Sequence, residues 1–242
     1  PQESYLQGER IVRVALEAGA RVVHPGYGFL AELPDFARAC VAAGLTFVGP
    51  SPQVIALFGE KTAARRLVQR LGIPVIEGSP RALDDAGLLD AAEGMGYPVM
   101  LKATAGGGGM GIRAAGSRAA LEAAIPLARR EAQAAFGDDG VYLERMMEDV
   151  RHIAVQLLGD THGHVIHLGE RECSIQRRHQ KLIEEAPSRA VDEDLRREIC
   201  QAAVRIGQAA GYVGAGTVEF LLDAVGRFYF MEVNPRLQVE HP

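Results

Sequence analysis

The sequence predicts a mixed chain, part α/β and part α+β: the trailing half of a doubly wound parallel sheet leads into a larger portion of short strands, Ala-rich helices and hairpins. Three observations predict this. The first fifty residues run helix, strand, helix, strand. A tract of glycines, Gly106, Gly107, Gly108 and Gly109, then Gly111 after Met110, joins two strand-like segments. The last stretch reads as a β-hairpin that carries acidic and amide groups where an ordinary core hairpin has Val or Ile.

Composition is that of an ordinary globular protein, with 48% hydrophobic and 24% charged residues over 242 positions. A net charge of -5 gives no basic footprint for nucleic acid. No apolar run approaches the roughly 18 residues of a spanning helix, and no signal segment opens the chain, so a membrane is not an expected partner. Cys40, Cys173 and Cys200 are odd in number and form no C-x-x-C, which implies neither a disulfide framework nor a cysteine zinc site. A reducing, cytoplasm-like compartment is the expectation, or a mitochondrial matrix in a eukaryote. A chain that opens on Pro1 and stops at Pro242 reads as an excised piece.

Taken in order, residues 5–19 have helical spacing in Leu6, Ile11, Val14, Ala15 and Ala18. Residues 21–24 read as a short strand running into the glycine-rich loop Pro25-Gly26-Tyr27-Gly28. A second helix spans 34–43, a second strand 45–48, and one long helix containing Lys61 spans 52–71. Residues 97–102 are a strand by composition, with Pro98 near its start. The glycine tract follows, residues 112–115 resume as strand, Gly116-Ser117 turn and cap, and 118–136 are helical. Because the tract joins two strands, it fits neither a Walker loop nor a dinucleotide fingerprint, both of which open a helix. Directly after Lys102 it reads as a flap that folds on phosphates through backbone N–H groups; a surface linker is the plainer alternative.

Residues 141–144 and 151–158 are strands. The second alternates, with His152, Ala154 and Gln156 on a polar face and Ile153, Val155 and Leu157 on the other. The turn Asp160-Thr161-His162-Gly163 leads to a partner strand, 164–168. His162, His164 and His167 lack accompanying cysteines and read as exposed strand histidines rather than zinc ligands. Strand parity through 170–181 puts Gln176, Arg178 and Gln180 on one face and Arg177, His179 and Lys181 on the other. That is a cationic surface suited to phosphate, or a solvated charged segment. Residues 192–211 form an amphipathic helix with Ile199, Ala203, Ile206 and Ala210 inward.

In the terminal hairpin, alternation places Glu232 and Asn234 on one face with Phe228 and Phe230. With the turn at 223–226, Glu219 lies opposite Phe230 and diagonal to Glu232, within about 7 to 8 Å. Two carboxylates and an amide oxygen on one face suit Mg2+, which leaves its other positions to water and phosphate. The same residues also fit a wet, acidic sheet face, and a one-residue slip would move Glu219 away.

These motifs, in this order, resemble the biotin carboxylases of the ATP-grasp superfamily. The matching stretches are His24-Pro25-Gly26-Tyr27-Gly28-Phe29-Leu30, Tyr97-Pro98-Val99 with Lys102, residues 106–111, Arg151-His152-Ile153, Cys173-Ser174-Ile175-Gln176-Arg177-Arg178-His179-Gln180-Lys181, Glu184-Glu185-Ala186-Pro187 and Glu232-Val233-Asn234-Pro235-Arg236-Leu237-Gln238-Val239-Glu240-His241-Pro242. The resemblance implies an ATP-grasp fold over 53–242, with a lid at about 73–146. Residues 1–52 would be the C-terminal part of a Rossmann-like pre-ATP-grasp domain.

Carried over by residue, the resemblance implies that Lys61, Lys102 and the flap glycines Gly107, Gly108 and Gly109 hold ATP phosphates. Glu144 and Met147 belong to the adenine hinge, and His152, Gln176 and His179 contact ribose and phosphate. Glu219, Glu232 and Asn234 hold Mg2+ or Mn2+. Lys181, Arg236, Gln238, Val239 and Glu240 form the bicarbonate site, with Glu240 as general base and Arg236 and Lys181 beside it in catalysis. The implied reaction forms carboxyphosphate from ATP and bicarbonate and carboxylates biotin on a carrier protein or domain. A carboxyltransferase would be the further partner, and the full-length protein a homo-oligomer within an acyl-CoA, pyruvate or urea carboxylase.

Met110 stands where the family has Lys or Arg, taking one lid cation away, and Ala31 and Leu33 replace Ser and Asn. The family's first strand–helix unit and its portion beyond the final His-Pro, with an arginine proposed to stabilise the biotin enolate, lie outside the chain. A carbamoyl-phosphate or purine-type ligase would share Lys61, Lys102 and the metal hairpin, but the run from Arg236 to His241 argues against it. A non-catalytic nucleotide-binding module is the alternative suggested by Met110 and the truncation.

Overall fold

The computed structural model describes residues 4–105, 111–177 and 180–241. The predicted flap glycines Gly107, Gly108 and Gly109, the neighbouring Met110, and Arg178 and His179 lie outside the described residues.

The N-terminal unit comprises α1 (Gly8–Glu17), β1 (Val22–Val23), a 3-10 turn (Phe29–Glu32), α2 (Pro34–Ala42) and β2 (Thr46–Phe47). The two strands pair in parallel, Val22 with Thr46 and Val23 with Phe47, as a doubly wound order requires. Val12, Leu30, Phe36, Cys40 and Leu45 form its small core. This unit meets the rest of the chain where Gly49 crosses Gly214. A Cβ on Gly214 would stand 3.2 Å from the Gly49 Cα, and its φ of +90° also favours glycine.

The single helix predicted over 52–71 is two: α3 (Pro52–Gly59) and α4 (Lys61–Arg70). The break falls at Glu60, whose backbone is extended and bridges Ala105, and whose carboxylate accepts from the Thr62 N–H at 3.1 Å. Gly59 favours helix least at that point, and the cap gained at Glu60 restarts it. The break aims Lys61 at the end of the next strand: its N–H donates to the Thr104 carbonyl at 2.9 Å.

Next come α5 (Asp85–Met95), β3 (Val99–Ala103), β4 (Arg113–Ala115), α6 (Arg118–Phe136) and β5 (Val141–Arg145). The strands form an antiparallel sheet in the order β4-β3-β5. Val99, Leu101, Val141 and Leu143 pack one face against Leu88, Leu121 and Ile125 of the two helices. By alternation the other face carries Met100, Lys102, Tyr142 and Glu144.

The remainder is β6 (Arg151–Gly159), β7 (Val165–Arg177), β8 (Gln180–Glu185), α7 (Glu193–Ala210), β9 (Gly214–Leu222) and β10 (Phe228–Asn234). These strands make an antiparallel sheet ordered β10-β9-β6-β7-β8. α7, capped by Asp192 and ended by Gly211 in the left-handed region, packs on one face with α3 and α4. Ile153, Val155, Leu157, Val218, Phe220, Phe228 and Phe230 fill that core.

Three expectations are corrected here. β7 extends to Arg177, well past the predicted 164–168. The chain also turns back after Arg177, so Gln176 pairs with Lys181 and the two share a face; strand parity had separated them. Finally, β10 has a bulge between Phe230 and Glu232. Met231 is the extra residue, so Phe230 stays opposite Phe220 in the core while Glu232 and Asn234 turn to the other face. Glu219 therefore sits directly opposite Glu232 rather than opposite Phe230.

Candidate active site

The helix-free faces of the two antiparallel sheets carry the polar groups. On the three-stranded sheet, Glu144 is 1% exposed. It accepts from Lys102 Nζ and Arg65 Nη1, each at 2.5 Å, and from the Tyr142 hydroxyl at 3.0 Å. Burial alone would raise its pKa, but Lys102 and then Arg65 hold the carboxyl below its usual range. The Glu144 side chain is thus shared among Lys102, Arg65 and Tyr142. Met147 lies half-buried in the link from β5 to β6, between the two sheets.

On the five-stranded sheet, Glu219 is 2% exposed and anchors a network. His152 Nε2 donates to its Oε2 at 2.5 Å, Asn234 Nδ2 donates to Oε1 at 2.9 Å, and the Lys181 ammonium also pairs with Oε1. Gln176 donates to His152 Nδ1 at 2.7 Å, which fixes the tautomer with the proton on Nε2. Burial opposes ionisation of Glu219, but His152 and Lys181 outweigh it and hold its pKa well below the ordinary value. Glu232 shifts the other way, raised first by burial and then by Glu219 opposite. Lys61 lies near Glu232 and Lys102; burial lowers its pKa, which Glu232 counters and Lys102 reinforces.

Two facing carboxylates with an amide oxygen make a hard-oxygen donor set. The two carboxylates stand opposite each other across the ladder with the Asn234 amide beside them, so these residues fit a divalent cation, whose charge would relieve their mutual repulsion. Among the described residues no cluster of three or more His, Cys, Asp and Glu converges on a metal position. Such an ion would need oxygens from a ligand as well.

The segment after β10 crosses toward the N-terminal unit. Arg236 Nε donates to Glu32 Oε1 at 2.7 Å. Gln238 is buried and its Oε1 accepts from Arg171 Nη2 at 2.7 Å. Val239 is exposed, and Glu240 is half-buried with no hydrogen bond or ion pair among the described residues. A cavity of about 600 Å³ is lined by Glu32, Lys61, Glu232, Asn234 and Arg236, with Phe58 and Phe136 as apolar walls. A larger depression of about 780 Å³ lies by Asp85, Arg129 and Asp138, away from the lysines and the facing carboxylates; the chemistry places the site at the smaller cavity.

The structure thus brings together Lys61, Lys102, Lys181, His152, Gln176, Glu219, Glu232 and Asn234, and sets Arg236 at the adjoining cavity. Sequence reasoning missed Arg65, Glu32 and Arg171. Each acts on a partner 79, 204 or 67 residues away, a separation that carries no local periodicity.

Two antiparallel sheets that present lysines and paired carboxylates to each other define an ATP-grasp domain. A family model described as "Carbamoyl-phosphate synthase L chain, ATP binding domain" matches residues 60–242, and one described as "Biotin carboxylase, N-terminal domain" matches residues 1–55. The chain belongs to the biotin carboxylase family. It is 51% identical to a biotin carboxylase of Nostoc sp. over 99% of this chain and 54% of that protein. It is 47% identical to the rat mitochondrial methylcrotonoyl-CoA carboxylase subunit alpha over 100% of this chain and 34% of that one. Among solved structures, the biotin carboxylase domain of Hydrogenobacter thermophilus 2-oxoglutarate carboxylase, in complex with MgADP, ADP and bicarbonate, superposes with a TM-score of 0.97. It shares 48% identity, covering 100% of this chain and 54% of that one. A Campylobacter jejuni biotin carboxylase with a bound ATP compound gives 0.96 at 48% identity, over 99% and 54% of the two chains. The chain spans about half the length of the bacterial biotin carboxylases it matches.

Proposed function

We propose that this chain is the nucleotide-binding part of an enzyme that carboxylates biotin with bicarbonate at the expense of ATP. The observation that carries it is the convergence of Lys61, Lys102 and Lys181 on Glu219, Glu232 and Asn234 between two sheets, beside an arginine-bearing cavity. Residues 1–52 are the end of the pre-grasp domain, and 53–242 the grasp, with about 73–146 as lid; the separate core of the three-stranded sheet and its helices supports that division.

Lys61 and Lys102 hold phosphate oxygens, with the flap glycines Gly107, Gly108 and Gly109 closing over them. The Glu144 to Met147 backbone takes adenine, and His152, Gln176 and His179 take ribose and phosphate. Glu219, Glu232 and Asn234 would hold Mg2+ or Mn2+, which neutralises charge on the transferring phosphoryl group. Bicarbonate is a poor nucleophile. Arg236, Lys181 and the Gln238-Val239 segment orient it, and Glu240, with no hydrogen bond or ion pair among the described residues, takes its proton. Carboxyphosphate results, breaks down to CO2 and phosphate, and the phosphate takes the proton of biotin N1' before CO2 adds there. Keeping that intermediate from water gives the flap its reason to close.

A biotinylated carrier, a carboxyltransferase and a second copy of the full-length protein are the partners of this reading, and cytoplasm or matrix its compartment. Free, buried Cys40, Cys173 and Cys200 suit a reducing environment, with burial pushing Cys173 and Cys200 up to about 11. The test is ATP hydrolysis by the full-length polypeptide with bicarbonate, with and without free biotin. Biotin stimulation is expected. Hydrolysis indifferent to biotin overturns the reading, and nucleotide binding without hydrolysis replaces it with a binding module.

A further inference from the structure

The two cations on Glu144 are not equivalent. Arg65, on α4, is 3% exposed and pinned on every side. Its Nη1 holds Glu144, its Nη2 donates to the Ile76 carbonyl at 2.5 Å, and its guanidinium lies over the Tyr142 ring, 5.8 Å from the centroid. Even the backbone beside it is fitted: a Cβ on Gly78 would stand 3.0 Å from Nη2 and 2.4 Å from the Leu143 carbonyl oxygen. Lys102 makes one ion pair among the described residues, and its side chain, 12% exposed, borders Lys61 and Glu232. One cation is fixed and the other can exchange.

We propose that Arg65 is a positioning residue for nucleotide binding: it stays on Glu144 as permanent counter-ion, so that Lys102 can leave that carboxylate for a phosphate oxygen. The inference rests on the reading of Lys102 as a phosphate lysine. Its physical basis is that a buried carboxylate stripped of its last cation is strongly disfavoured. With Arg65 present, Glu144 keeps a bonded positive charge and the Tyr142 hydroxyl after Lys102 has moved. Without Arg65, Glu144 and Lys102 lock together, and phosphate must compete against a buried ion pair.

The experiment compares wild type, Arg65→Met, Arg65→Lys, Glu144→Gln and the Arg65→Met/Glu144→Gln pair in the full-length protein. MgATP dissociation constants are measured alongside the rate at which an amine-reactive reagent labels Lys102 without nucleotide. Arg65→Met should weaken MgATP on the order of tenfold or more and slow Lys102 labelling. Arg65→Lys, which keeps charge without the fork, should fall between. Adding Glu144→Gln should restore affinity to within about threefold of wild type and speed labelling. A structural role for Arg65 predicts the opposite for the pair, since removing two buried groups does not repair a damaged lid. Unchanged affinity in Arg65→Met, no rescue by the second substitution, or unslowed labelling overturns the inference. If wild type binds no MgATP, the nucleotide-binding reading itself fails, which the labelling rates distinguish from failure of the Arg65–Glu144–Lys102 coupling.

Discussion

Glu219 and Glu232 face each other directly across β9 and β10 because Met231 is an extra residue that the ladder passes over. Without that bulge, strict pairing onward from Phe230 and Phe220 would carry Glu232 into the core opposite Val218 and leave Glu219 facing Met231. Deleting Met231 should therefore leave a regular ladder, with Phe230 still opposite Phe220 and Glu232 still opposite Glu219. Deleting Val233, which is 5% exposed, should pull Asn234 into the core position. We expect the Met231 deletion to retain cation-dependent nucleotide binding. The Val233 deletion should lose it, together with about 3 kcal/mol of stability from a lost apolar side chain and a buried amide. Equal behaviour of the two in thermal melts and Mg2+ titrations would refute this register.

Elements whose ends are marked by local chemistry were legible in the sequence. The helix at 118–136 has the expected bounds, with Ser117 capping the Ala120 N–H at 3.3 Å. The helix ending at Gly211 was equally plain, since its αL stop is a local preference. The features that build the site were harder to read because they are set by partners. Met231 has no bulge signature of its own; only pairing with β9 singles it out. Arg177 to Gln180 contains no glycine, asparagine or proline, so nothing announced that the chain reverses there and brings Lys181 opposite Gln176. The resemblance named Lys61, Lys102, Glu219, Glu232 and Asn234, but not the buried arginine behind Lys102.

Glu240 has neither hydrogen bond nor ion pair among the described residues, although it is half-buried beside a bonded loop. A general base needs that freedom to reach a substrate proton. Glu240→Gln should leave the MgATP dissociation constant within about twofold while lowering bicarbonate-dependent turnover on the order of a hundredfold to ten-thousandfold. Steady-state kinetics at saturating MgATP, with nucleotide binding measured separately, decides it. Turnover close to wild type would remove Glu240 from that role.

Glu32 holds the Arg236 guanidinium from the N-terminal unit, and both line the same cavity. The pair is partly exposed, so its contribution to stability is small, under about 1 kcal/mol. Its effect should appear where Arg236 is used. Glu32→Gln is expected to raise the KM for bicarbonate on the order of fivefold, the equivalent of about 1 kcal/mol, with the melting temperature nearly unchanged. Glu32→Asp should give a smaller rise. A bicarbonate KM equal to wild type in both variants would show that Arg236 is oriented without Glu32.

His241 ties the loop carrying Gln238 to β9. Its Nδ1 accepts from the Gln238 N–H at 3.0 Å, so the proton sits on Nε2, which donates to the Gly216 carbonyl at 3.3 Å. Burial pushes its pKa below the ordinary 6.5, the backbone carbonyls work the other way, and Arg171 adds to the lowering. A histidine depressed in the folded state binds fewer protons there than when unfolded. Its contribution to stability is therefore present above pH 6.5 and is lost as pH falls through the lower, folded value. For a half-exposed ring that loss is under about 1 kcal/mol, because solvent screens it. The local effect should be larger, since a protonated Nδ1 cannot accept from Gln238. Hydrogen exchange at the Gln238 amide, corrected for intrinsic rate, should accelerate between pH 7.5 and about 5.5. His241→Asn, whose amide oxygen can replace the Nδ1 acceptor but does not titrate, should flatten both that acceleration and the matching fall in melting temperature. Identical pH dependence in wild type and His241→Asn would show that His241 does not control this loop.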